Sequence, residues 1–140
     1  FSKDKKLSLK EIETITGAPS DVLVNNFLDC LVEKNIEKGY EVINQAISQN
    51  IDMNVYLKMI LAKLRYALML RYAPKTKESI SGSISESSLK YLSGLVASKS
   101  ENITSGTLAI LLEAYQNQRN AVISSLPLEI ALIKILNAEK

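Results

Sequence analysis

Histidine and tryptophan are absent from the 140 residues, and cysteine occurs once, as Cys30. With no imidazole and a single thiol, no metal cluster of the usual His/Cys spacing can be assembled. One cysteine also excludes an internal disulfide, so nothing points to an oxidising compartment. Cys30 stands beside Phe27 and Leu31 on the apolar side of its segment. It reads as a buried structural thiol, because reactive thiolates need accessible, electropositive surroundings. The five glycines are scattered, and neither GxGxxG nor GxxxxGK can be written, which excludes a glycine-rich phosphate loop. An excess of one charge sign is missing too. Seventeen basic and fifteen acidic residues are interspersed and leave a net charge of +2. A nucleic-acid module would gather Lys and Arg on one face, so no direct nucleic-acid partner is expected.

Long apolar runs are also lacking. Lys58, Lys63 and Arg65 interrupt the longest candidate well short of the ~18 residues of a membrane span. The opening FSKDKKLSLKE has no apolar stretch of signal-peptide length. A cytoplasmic location and no membrane partner are expected. With Phe1 in place of an initiator methionine, the chain is expected to be a piece of a longer protein. The carboxylates do not converge: Glu11 and Glu13 fall on different faces of a short helix, and Glu33 and Glu37 flank a turn. General acid–base work needs such groups brought together in a cleft. The sequence offers no active site and no catalytic residues.

What the chain does have is helix. It is 46% hydrophobic and 23% charged, a length and composition for one globular domain. The stretch 53 to 73, MNVYLKMILAKLRYALMLRYA, is apolar on almost every face. Asn54, Lys58, Arg65 and Tyr72 share one narrow line, and Lys63 and Arg71 are its only other charges. A helix on a single core surface shows a broad polar back; this one must be covered on several sides and is the centre of a bundle.

Other helices are punctuated around it. Ser8 and Glu11 have capping-box spacing for a short helix carrying Leu9, Ile12 and Ile15, which Gly17 can end. After Pro19, residues 21 to 34 place Leu23, Val24, Phe27, Leu28 and Leu31 on one side. A third helix, near 36 to 49, repeats Ile36, Tyr40, Ile43 and Ile47. Asp52 is placed to cap the central helix. Residues 74 to 85, PKTKESISGSIS, lack periodicity and read as a mobile surface connection. Ser85 can then cap a helix with Leu89, Leu92, Leu95 and Val96 inside. Thr104 can cap a longer one, to about 124, with Leu108, Leu111, Tyr115 and Val122 as its buried line. Pro127 suits the start of a final helix. The expectation is an all-α bundle of about seven helices, antiparallel where loops are short.

Two features bear on function. Residues 8 to 16 and 21 to 34 have the outline of a helix-turn-helix, but the second begins Ser20-Asp21-Val22-Leu23. DNA reading wants Arg, Lys, Asn or Gln at that start, so packing or hinge function is the better account. In the last helix, Ile130 and Ile133 fall within the arc marked by Glu129, Lys134 and Asn137. Two readings stand: scattered exposed isoleucines, normal on any surface, or a subunit contact with a polar rim.

LSLKEIETITGAPSD followed by FLDCLVEKNIEKGYEVINQAISQNIDMNVYLKMILAKLRYALML resembles the region after the ATPase core in the gamma/tau subunits of bacterial DNA polymerase III. The ending LLEAYQNQRNAVISSLPLEIALIKIL is similar to that family's closing pattern, with Pro127-Leu128-Glu129 its best-fitting run. The similarity spans residues 7 to 137 and lies in the ordered succession of segments, with no single specific motif. It implies the helical collar of a clamp loader over residues 21–140, with residues 1–20 as the end of a preceding lid domain or a hinge. In that family the collar joins subunits into a ring-like pentamer, so the implied partners are other gamma/tau, delta and delta-prime subunits. ATP and zinc are expected only in separate N-terminal domains, leaving this piece non-catalytic and without a cofactor. The candidate contact residues are Tyr115, Arg119, Leu128, Glu129, Ile130 and Ile133. The isolated piece is expected to be monomeric once ring closure is lost. The collar of the related delta subunit and a helical adaptor or DNA-binding module are the alternatives.

Overall fold

A computed structural model describes residues 21–136, and the expected 8–16 helix and 1–20 lid or hinge segment lie outside them. Seven α-helices follow one another: α1 (Asp21–Glu33), α2 (Ile36–Ser48), α3 (Met53–Tyr72), α4 (Lys77–Ser81), α5 (Glu86–Ala97), α6 (Ser105–Asn117) and α7 (Leu126–Leu136). No strand occurs among the described residues. The all-α bundle is as expected.

The punctuation is local chemistry. Asp52, Ser85 and Thr104 each accept a backbone N–H of the first turn, from Asn54, Ser88 and Thr107, and Asn35 does the same for Lys38. Each such cap satisfies one of the free amides at a helix start and is worth about 1 kcal/mol. At the other ends, Lys34, Asn50 and Lys99 take positive φ (57°, 58° and 55°), turning the chain out of α1, α2 and α5. Glycine is the usual residue there, which is why these ends were not visible as glycine stops.

α3 is the central rod. α1, α5 and α6 pack around it, burying eight of its residues, from Met53 to Leu70. Only a thin line stays wet, through Asn54, Val55, Lys58, Ala62, Arg65 and Tyr72. Lys63 departs from a simple charged surface position: it is 9% exposed. Its ammonium donates to Asn25 Oδ1, lies 3.3 Å from Asp21 and sits 5.4 Å from the Tyr91 ring centroid. Tyr91 in turn donates to Asp29 (2.6 Å) and to the Asn25 carbonyl (2.9 Å). A buried ammonium is tolerated only when it is paired in this way.

The core runs through the middle of these helices. Phe27 and Tyr56 meet edge to face, centroids 6.4 Å apart, and the Tyr56 hydroxyl donates to the Leu23 carbonyl at 2.9 Å. The connection between α5 and α6 is tied down from two sides. Arg71 Nη1 donates to the carbonyls of Ser100 and Ile103, both at 2.6 Å, and Asn102 Nδ2 donates to the Leu31 carbonyl at 2.9 Å.

Three expectations are corrected. The α2 stripe does not run through Ile47, which is exposed. It runs through Gly39, Val42, Ile43 and Ala46, because α2 presses against α1 and α7. Gly39 makes that approach possible, since Leu132 and Cys30 occupy the space a Cβ would take. The Thr104-capped helix stops at Asn117, and a 3-10 turn (Gln118–Asn120) breaks it. Gln118 Nε2 binds the Ser124 carbonyl at 2.7 Å, Ala121 is extended, and Val122 is 97% exposed, not buried. Finally, the segment 74 to 85 has structure of its own, a 3-10 turn (Pro74–Thr76) and α4, with Ile80 2% exposed beneath them.

Candidate subunit interface

A groove of about 380 Å³ lies between α6 and α7. Pro127 fixes its geometry. Lying in the first turn of α7, it has no amide to lose there, and its ring forms part of the floor. Ile110 and Ala114 line the groove from α6, Leu126 and Ile130 from α7, and Val122 from the loop between them. Ile130 is 44% exposed, and Leu126 and Ile123 are also open to solvent. Glu113 and Lys134, 3.5 Å apart, form part of the rim. Exposed apolar side chains with a polar edge are the composition of a contact surface.

The six residues singled out in the sequence fare differently. Ile130 lines the groove and Arg119 is exposed. Ile133 and Tyr115 are half-buried, Tyr115 packed against the core, and neither lines the groove. Glu129 serves its own helix, accepting a hydrogen bond from Ser125 Oγ at the start of α7, where a carboxylate also meets the positive end of the helix dipole. Leu128 is a correction: it is fully buried and offers a neighbour no surface. It follows Pro127 into the core because the first turn of α7 points that face inward. Val122, Ile123 and Leu126 were missed. A helix continued to residue 124 turns Val122 inward and leaves no loop; the polar QNQRN run before it is the hint of a break.

Cys30 confirms that burial, not reactivity, governs the one thiol. Desolvation pushes it up to about 12, and the nearby Lys38 only partly opposes this. Its contribution to stability is therefore full below about pH 9, the ordinary thiol value, and is lost as pH rises towards 12. Native protein should resist a thiol reagent at pH 8 and react stoichiometrically once unfolded. Rapid labelling of the folded chain would contradict the burial. Tyr56 and Tyr91 are raised as well, both chiefly by burial, with Tyr91 also held protonated by its bond to Asp29.

Among the described residues no group of three His, Cys, Asp or Glu side chains is placed to hold a metal ion. No described helix is long and apolar enough to cross a membrane. Among the described residues the arrangement offers an open surface for contact. A search among curated protein sequences gave no match. The family described as DNA polymerase III subunits gamma and tau domain III, by contrast, matches residues 7–140. A match over nearly the whole chain, on an all-helical bundle with an open apolar groove, means that the chain belongs to that family, domain III of DNA polymerase III subunits gamma and tau.

Proposed function

We propose that this bundle is the collar of a clamp-loader subunit, a non-catalytic domain that holds subunits together during DNA replication. Its partners are other gamma/tau, delta and delta-prime subunits, and nucleotide and zinc chemistry belong to separate domains. The observation that carries this reading is the α6–α7 groove. A bundle that encloses its central helix on three sides nevertheless leaves Val122, Leu126 and Ile130 open around one concavity. Membership of the gamma and tau domain III family supports the clamp-loader setting.

Ile130→Asp tests it. An aspartate there stays solvated in the free chain, so the melting temperature should change little. In a contact it would be desolvated without a partner, at a cost of several kcal/mol. Co-sedimentation with the partner subunits is expected to weaken at least ~10-fold, equivalent to about 1.4 kcal/mol. Unchanged assembly with an unchanged melting temperature would overturn the assignment of this groove.

A further inference from the structure

A second concavity, of about 240 Å³, lies between α3 and α5. Met59 and Tyr66 line it from α3, Leu92 from α5, and Ile84 from the bend that leads into α5. Met59, Tyr66 and Ile84 are only half-buried, so part of their apolar surface stays open. The charges at this groove are already engaged. Lys63 donates to Asn25, pairs with Asp21 at 3.3 Å and faces the Tyr91 ring. Ser85 serves its own helix, accepting the Ser88 amide. What remains for an incoming group is apolar contact. A cavity of about 150 Å³ holds a benzene ring, so this groove has room for more than one aliphatic side chain.

A segment of matching chemistry starts at the edge of this groove. Asp21 opens α1 and also lines the groove, and its pairing with Lys63 pins the start of α1 against α3. The family match begins at residue 7 and so takes in the residues ahead of Asp21 together with the bundle. In the sequence, Leu9, Ile12 and Ile15 fall on one side of the 8 to 16 segment, and only Gly17 to Ser20 separates it from α1. Ile15 stands six residues ahead of Asp21, which keeps it within about 20 Å of that residue. The α3 wall of the groove, from Met59 to Tyr66, is itself about 10 Å long. A helix as short as 8 to 16 is marginal alone and persists only when its apolar side is covered. We infer that the α3–α5 groove receives Ile12 and Ile15 of the same chain, so that the 8 to 16 segment folds back onto the bundle it precedes. This contact is internal to one chain and stands whether or not the α6–α7 groove joins subunits. Its consequence is directional: whatever is joined ahead of residue 8 is steered by α3 and α5 instead of swinging on the 17 to 20 spacer.

The test uses the whole chain, with the buried Cys30 as an internal gauge of folding. Ala62 lines the groove, whereas Gly94 is exposed on α5 and does not. Ala62→Cys is expected to react with N-ethylmaleimide at least ~5-fold more slowly than Gly94→Cys, the protection a docked segment confers. Ile12→Ser with Ile15→Ser should raise it to the Gly94→Cys rate while Cys30 stays protected. Ile12→Leu with Ile15→Leu should keep it slow. Thr16→Cys is then combined with Ala62→Cys in one chain and oxidised mildly at low protein concentration. The intramolecular disulfide should close at least ~5-fold faster than in the same chain carrying the two serines, because docking raises the effective concentration at a fixed tether length. If the serines expose Cys30, closure of Thr16→Cys onto Ala62→Cys is compared with closure onto Gly94→Cys, and the groove site should win. Equal maleimide rates, no response to the serines with Cys30 protected, or no preference in closure overturns the proposal. A disulfide between two molecules overturns it too, since the groove would then take a second copy's segment.

Discussion

Phe27→Ala is expected to lower the free energy of unfolding by about 3–5 kcal/mol, the range for removing a buried aromatic side chain. Phe27 is fully buried on α1 and meets Tyr56 of the central helix edge to face. Its loss removes both the transfer free energy of the ring and the aromatic contact, and opens a void where α1 and α3 meet. The void cannot collapse easily, because Tyr56 is held by its bond to the Leu23 carbonyl. Against a total stability of about 5–15 kcal/mol for a domain, the loss is a large fraction. Denaturant unfolding followed by far-UV circular dichroism measures it. A cost below about 1 kcal/mol would mean that the α1–α3 contact is loose, contrary to the packing described.

Two glycine substitutions should move stability in opposite directions. In a helix interior, Gly→Ala ordinarily stabilises by up to about 1 kcal/mol. At Gly94, exposed on α5, an added Cβ meets nothing within 4 Å beyond its own helix's backbone, and that gain should appear in full. At Gly39 the same methyl would lie 2.6 and 2.8 Å from the Leu132 Cδ atoms and 3.2 Å from Cys30 Sγ. Leu132 is fully buried and has nowhere to swing. Gly39→Ala is expected to destabilise by about 1–3 kcal/mol, the usual overpacking penalty, and to do so by prising α2 from α7. Thermal unfolding of the two variants beside the parent decides the matter. Equal shifts of the same sign would show that α2 and α7 have room to separate.

The contrast between those glycines bears on how much of the molecule its sequence announces. Helix starts were legible because Asp52, Ser85 and Thr104 act on amides two or three residues away. The enclosure of α3 was legible because only a thin polar line interrupts its apolar surface. Gly39 was invisible as a core position, since counting apolar side chains gives glycine no weight and its role depends on Leu132, remote in the chain. Lys63 was placed among the charges for the same reason: its partners Asn25, Asp21 and Tyr91 come from α1 and α5. Of the α6–α7 groove, Ile130 could be found because it is an aliphatic on a polar arc. Val122 could not, because its exposure follows from a break at Gln118–Asn120 that no proline or glycine marks.

The segment joining α5 to α6 has a mechanical consequence. Through Asn102 it stoppers the carboxyl end of α1, and through Ser100 and Ile103 it occupies the guanidinium near the end of α3. Peeling it away would strand one side-chain amide, three carbonyls and a cation together, so these bonds should break as one event instead of fraying singly. The ends of α1 and α3 are thereby latched to a single bolt.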